Sequence, residues 1–402
     1  MTAGRSAANR AYRLAVPISI ASAVLGVGRE LVILQRIGLS EANDLLQYYL
    51  SITFTISILG DAMRLAVLNL LQVGTLASAL ASTMITAVGV GVPIAFWYAR
   101  GGPPLDPGLL VVAGVAGILN LVTVVLLVHR QRSGRFLPAH VITVLPNILI
   151  FLGVVLAMGR ETPTFVAVVV GLFLAAPVIQ IVMLLALRPG NSASPPVPEP
   201  GNGVLRGMGQ IGLHGLGAVG AQAGHILIRT ALAGQATGML TVFVLLSRAV
   251  DTTRAILLDT LIGARLADWA AGRGRVPTLL DPVHLSLPLL GGILALTGAA
   301  ALLGSGASTA LRLVPWLVVV LLPGAWLTFL QRAGYFYLNA TASPRALIVR
   351  LGVLDAGLAA LLASATALAN WGPLLLVWLF FVLRIALQIV LIQRAGVVDV
   401  RD

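Results

Sequence analysis

Runs of about twenty mostly apolar residues, the length that crosses a bilayer as an α-helix, recur from one end of this chain to the other. They predict helices near 12–35, 45–71, 75–98, 108–129, 138–158 and 163–187. A second set is predicted near 207–232, 237–263, 283–304, 309–337, 346–368 and 371–393. Composition agrees. Of 402 residues, 58% are hydrophobic and 10% are charged, against about 25% charged in a soluble domain. So few charges could not cover a water-facing surface of this size, so much of the surface faces lipid. The expected fold is an all-α membrane protein. About twelve transmembrane helices form two six-helix, pseudo-symmetric halves around a central cavity.

The stretch from Pro189 to Gly201 is rich in proline, glycine and serine, which is linker composition. It divides the chain into an N-terminal lobe (1–188), a cytoplasmic linker (189–205) and a C-terminal lobe (206–402). Arginine placement orients this arrangement. Connections expected on the cytoplasmic side, such as those holding Arg130, Arg132, Arg135, Arg265, Arg273 and Arg275, are far richer in arginine than the opposite loops. Those loops hold only Arg36, Arg100 and Arg160. The bias alternates as the positive-inside rule requires. It puts both termini in the cytoplasm and the protein, as a multi-pass chain, in the inner (cytoplasmic) membrane. Residues 1–11 are polar and basic, with no short apolar region leading to a small-residue cleavage site. The first helix is therefore expected to act as its own targeting signal.

Several function classes drop out. There is no cysteine, so thiol chemistry and Cys-ligated metals are excluded. All 26 basic residues are arginines, so neither a Walker A lysine nor a Schiff base is available. The net charge of +12 is carried by topology signals and span arginines, without a basic, aromatic-interleaved soluble surface, so nucleic acid is not expected as a partner. The five histidines show no metal-ligand spacing and no catalytic triad stands out. No enzyme activity, metal or cofactor is expected.

What remains is charge inside the spans, which is expensive and marks a cavity or a partner. One cluster holds Arg29 and Glu30 in helix one with Asp61 and Arg64 in helix two, the last two sharing a helix face. A second runs along helix eight as Arg248, Asp251, Arg254 and Asp259. His225 and Arg229 in helix seven, four apart, could line the same space. Each of these pairs could equally be structural neutralisation. Pro17, Gly26 and Gly28 interrupt helix one, and Pro146 and Asn147 interrupt helix five; bent helices of this kind line transporter cavities. The two halves are weakly similar: Gly38 superposes on Gly234 at an offset of 196, with Arg29 opposite His225.

Several of these stretches are similar to the lipid II flippase family (MurJ/MviN-like) of the multidrug/oligosaccharidyl-lipid/polysaccharide (MOP) exporter superfamily. Leu25-Gly26-Val27-Gly28-Arg29-Glu30, then Gly38 and Asn43-Asp44, resemble its first-helix signature. Ser133-Gly134-Arg135-Phe136-Leu137-Pro138 with Pro146-Asn147 resembles its fourth-to-fifth connection. Ser247-Arg248-Ala249 and Phe336-Tyr337 with Pro344 match two further segments. The resemblance implies a flippase moving a polyprenyl-pyrophosphate-linked glycan precursor such as lipid II. It implies a pyrophosphate held by arginines matching Arg29 and Arg248, and functionally sensitive acids at Glu30 and Asp44. Expected partners are the lipid-linked anionic glycan, the bilayer and cell-envelope biosynthesis proteins. The chain departs from the pattern in three places. It is about two helices shorter, it lacks a basic pair near Ser57-Ile58, and it carries Arg229 where an aspartate is expected. Two other readings stay open: a cation-coupled multidrug exporter of the same superfamily, and a non-transporting membrane scaffold.

Overall fold

In the computed structural model, described residues cover 2–57, 76–93, 105–132 and 135–188, with isolated positions at 60, 96 and 209 and between 229 and 390. Among them every regular element is helical. In chain order these are α1 (Thr2–Ile37), α2 (Glu41–Ser57), α3 (Leu76–Thr86, followed by a π turn over Ala87–Gly91), α4 (Pro107–Arg132), α5 (Phe136–Ala157) and α6 (Thr162–Ala186). Among the described residues, four stretches are long and apolar enough to cross a membrane: Pro17–Ile37, Pro107–Arg130, Leu137–Ala157 and Thr162–Ala186. The helices expected at 108–129, 138–158 and 163–187 match α4, α5 and α6 to within a few residues. The first helix begins well before residue 12. The linker and most of the six later helices lie outside the described residues.

Helix boundaries follow local chemistry. α1 stops at Gly38, whose φ of 64° is left-handed and avoids the Cβ clash that other residues meet there. The Gly38 N–H still donates to Leu34 O at 2.8 Å. Ser40 opens α2: its carbonyl accepts from the Asn43 and Asp44 amides, both at 3.0 Å, and its hydroxyl accepts from the Asn43 amide at 3.4 Å. Glu41 and Asp44 in the first turn suit the positive end of the helix dipole. Asp106 caps α4, its Oδ1 accepting from the Leu109 amide at 2.9 Å, and Pro107 follows at the first helical position, where its missing N–H costs nothing.

Two expectations are corrected here. Pro17 with Gly26 and Gly28 does not interrupt α1, and Pro146 with Asn147 does not interrupt α5; both helices run through. A proline removes one backbone hydrogen bond and strains one turn. The remaining turns hold each helix, and in a membrane span small local adjustments re-satisfy the freed carbonyl.

The chain divides into two compact units: Met1–Leu39 with Ala223–Asp402, and Ser40–Gln222. Thus α1 groups with the second half of the chain rather than with α2–α6. In the second unit, α4 packs against α2, α3, α5 and α6. One apolar cluster joins Ala79 of α3 to Val125 and Val128 of α4. Another joins Leu126 and Leu127 of α4 to Ala139 and Ile142 of α5 and Leu184 of α6. Helix association within lipid depends on close packing and interhelical hydrogen bonds rather than on hydrophobic transfer, and both are present. A Cβ at Gly117 of α4 would fall 2.7 Å from Ile56 Cβ and 2.9 Å from Thr53 O, so α2 and α4 touch backbone to backbone there. Beside it, Thr53 Oγ1 donates to Ala113 O at 2.9 Å. Gln180 Nε2 donates to Ile142 O at 3.2 Å across α5 and α6. Phe54 and Phe173 meet edge to face, with centroids 6.0 Å apart. By contrast Leu152, Leu156, Val178, Val182 and Leu185 lie exposed on α5 and α6. An apolar surface of this kind along two membrane-length helices suits lipid.

Candidate functional site

The Arg29 and Glu30 side chains are buried in α1. Arg29 lies eight residues before Ile37, so it is roughly 12 Å along the axis from the Gly38 turn and well inside the span Pro17–Ile37. Adjacent helical residues normally point about 100° apart. Here the guanidinium folds across, and Nη2 and Nε both donate to Glu30 Oε1, at 2.8 and 3.1 Å. Two buried charges become one neutral, forked pair. Breaking such a pair from one side strands a charge in a low-dielectric interior.

Asp44 is half-buried in the first turn of α2. Its helix carries a feature that pattern reading did not single out. From Leu46 to Thr53 every side chain of α2 is buried, and the burial includes Gln47, Ser51 and Thr53 as well as Leu46, Leu50 and Ile52. With Asn43, the first two form a polar stripe at four-residue spacing. Gln47 Nε2 donates to Asn43 Oδ1 at 3.3 Å, while Gln47 Oε1 is buried with no hydrogen-bond partner among the described residues. The spacing of Asn43, Gln47 and Ser51 was visible in the sequence as an i, i+4, i+8 polar ridge. Tyr49, also buried, accepts the Asp106 amide on its hydroxyl at 2.7 Å, and so ties the middle of α2 to the start of α4.

Arg130 has a structural role beyond marking topology. It is buried at the end of α4, and its Nε and Nη2 donate to the carbonyls of Leu184 and Leu185, at 2.8 and 3.3 Å. These are among the last carbonyls of α6, which have no partner within their own helix.

Arg229 is helical and half-buried. Its Nε and Nη1 are buried with no hydrogen-bond partner among the described residues, and so is Ser247 Oγ. Asp61, Arg64, His225, Arg248, Asp251, Arg254 and Asp259 lie outside the described residues, so the two expected charge clusters are seen only at Arg29, Glu30 and Arg229. Among the described residues no three metal-ligating side chains come together.

No family model matches the sequence, and no curated protein matches it. Solved structures do match its fold. A lipid II flippase, MurJ, in an inward closed conformation superposes with a TM-score of 0.57 at 13% identity, covering 95% of this chain and 87% of the flippase. An inward-facing multidrug resistance transporter of the MATE family superposes with a TM-score of 0.55 at 13% identity, covering 96% of this chain and 94% of the transporter. An outward-facing MATE transporter gives 0.50 at 13% identity, with 99% and 93% covered. Such superpositions over nearly the whole chain give it the fold of these solved transporters, and its several membrane-length apolar helices make it a multi-pass membrane protein.

Proposed function

We propose that this protein exports a polyprenyl-pyrophosphate-linked glycan precursor, lipid II or a relative, across the inner membrane by alternating access. The observation that carries the reading is the buried Arg29–Glu30 pair within a membrane span, set in a fold shared with a lipid II flippase. A span keeps an ion pair at a cost only where it lines a pathway or holds a structure, and arginine is the side chain best shaped for a phosphate. In this reading the cavity is built from Arg29, Glu30, Asp44, Asp61, Arg64, His225, Arg229, Arg248, Asp251 and Arg254. The lobes are 1–188 and 206–402, both termini are cytoplasmic, and cell-envelope biosynthesis proteins are partners. No cofactor and no nucleotide are required. Outward movement of a negatively charged headgroup gains about 2.3 kcal/mol per charge per 100 mV of inside-negative potential, so transport should stop when the potential is collapsed.

The MATE superposition, nearly as good as the flippase one, favours a second reading: a cation-coupled multidrug exporter. Cavity arginine in excess of acid argues for the anionic cargo. Complementation decides between them. Cells depleted of their own lipid II flippase receive the wild type or Arg29→Ala, with membrane levels checked. Rescue by the wild type alone supports the flippase. No rescue from a correctly inserted wild type, with drug resistance conferred instead, would establish the second reading. Neither activity would leave a scaffold.

A further inference from the structure

Where α5 begins and α6 ends, two arginines stand beside an apolar face. Gln180 Nε2 donates to Ile142 O and Ala139 packs with Leu184, so α5 and α6 run antiparallel in a fixed register. Arg135 lies seven residues before Ile142, and Arg188 eight residues after Gln180. Both therefore reach the same level, roughly 10 Å beyond that bond. Both are exposed, and neither side chain has a hydrogen-bond or ion-pair partner among the described residues. Arg130, at the same end, is already taken up by the Leu184 and Leu185 carbonyls. Between residues 107 and 188 the sequence holds one acid, Glu161, at the opposite end of α6. The α6 surface also changes character halfway along. From Phe165 to Pro177 no residue is exposed, whereas Val178, Ile179, Val182, Met183 and Leu185 all are. Val141 of α5 is exposed at the same depth. The open patch runs about 12 Å along the helix axis, close to the roughly 15 Å of hydrocarbon in one leaflet. A partner helix crossing the membrane would need the whole length of α6, but one phospholipid needs only this half.

We infer that this face binds one anionic phospholipid, its phosphate between Arg135 and Arg188 and an acyl chain along the α6 patch. Charge complementarity selects the occupant. A guanidinium forks onto phosphate oxygens, and basic residues beside a span attract anionic headgroups. In a zwitterionic lipid the headgroup's own cation offsets that attraction. Bound there, the lipid joins the start of α5 to the end of α6, so it stabilises the pair. All of these residues belong to one compact unit, Ser40–Gln222. None is among those proposed to hold the cargo, so failure of this inference leaves the proposed function standing.

The test uses the full-length protein with phosphatidylglycerol and phosphatidylcholine of identical acyl chains as probes. Native mass spectrometry counts bound lipids and copies of the chain, and thermal unfolding is followed in nanodiscs of either lipid. The wild type is compared with Arg135→Gln/Arg188→Gln, Arg135→Lys/Arg188→Lys and, at the opposite end of the same helices, Arg160→Gln. The wild type should retain one phosphatidylglycerol with about thirtyfold preference over phosphatidylcholine, the effect of two arginines near a headgroup. It should also melt at a higher temperature in phosphatidylglycerol. The double glutamine variant should lose both the preference and the added stability, while melting like the wild type in phosphatidylcholine. The double lysine variant should keep most of the preference, and Arg160→Gln should keep all of it. Equal retention of the two lipids by the wild type would overturn the inference, as would an undiminished preference in the double glutamine variant. Displacement of the lipid by glycerol phosphate at similar concentration would overturn it too, by leaving the α6 patch without a part. So would a lower melting temperature of the double glutamine variant in phosphatidylcholine, by making the arginines structural. A dimer that separates on the same substitutions would overturn it by making the face a contact between copies.

Discussion

The Arg130 guanidinium at the end of α4 donates to Leu184 O at the end of α6, at 2.8 Å, which joins the two helices and meets a carbonyl in the last turn of α6. A cation at a helix C-terminus gains from the helix dipole as well as from the hydrogen bond. Arg130→Gln should therefore destabilise the protein by about 1–3 kcal/mol, the scale of lost charged hydrogen bonds. Arg130→Lys should recover part of that, since it keeps the charge but not the fork. Thermal unfolding in nanodiscs would show it, and an unchanged melting point for Arg130→Gln would contradict the role.

At Gly117, α2 and α4 are too close for a methyl group. The nearest atoms are Ile56 Cβ and the Thr53 carbonyl, neither of which can swing away. Gly117→Ala should cost about 1–3 kcal/mol through overpacking. Gly153 is the control. There the colliding atoms are the Leu172 methyls, which can rotate aside, so Gly153→Ala should cost less. Equal losses at the two positions would refute the backbone-contact argument.

Gly38 has empty space around its would-be Cβ but a φ of +64°. The penalty for Gly38→Ala is therefore conformational, on the order of 1–2 kcal/mol. Gly38→Asn should be milder, because asparagine tolerates this region. Comparison of the two melting points tests the ordering.

The Arg29–Glu30 pair should show strong coupling. Glu30→Gln strands a buried cation and Arg29→Gln strands a buried anion, each expected to cost about 3–5 kcal/mol. The double variant removes both charges and should be more stable than the sum of the singles implies. Additive losses in that cycle would mean the two side chains act separately.

The legible parts of this fold were those written in composition and punctuation. α4, α5 and α6 were located from their apolar runs, which end within a few residues of the helices. Gly38 falls in the gap between the first two apolar runs, and its left-handed φ is what ends α1 there. The intramembrane pair at Arg29 and Glu30 was visible because charge in a span is rare. Other features were hidden for physical reasons. Pro17 and Pro146 looked like breaks, but a proline takes away only one of a helix's many bonds. Arg130 looked like a topology signal, because positive-inside bias and helix capping use the same residue at the same place. The unmet donors of Arg229 depend on the surrounding packing, which no spacing rule reports. The grouping of α1 with residues 223–402 likewise follows from tertiary packing rather than from the Pro/Gly-rich stretch at 189–201.

Because α2 is enclosed on every side from Leu46 to Thr53, it has no face on which change is free. α5 is different: Leu156 is 83% exposed while Val154 is fully buried, so tolerance there should rise and fall with the helical turn. A saturation scan should therefore trace a 3.6-residue rhythm along α5 and a flat, uniformly intolerant line across the middle of α2. Substitutions that accumulate in such a protein would drift along its outer helices and leave this segment almost unaltered.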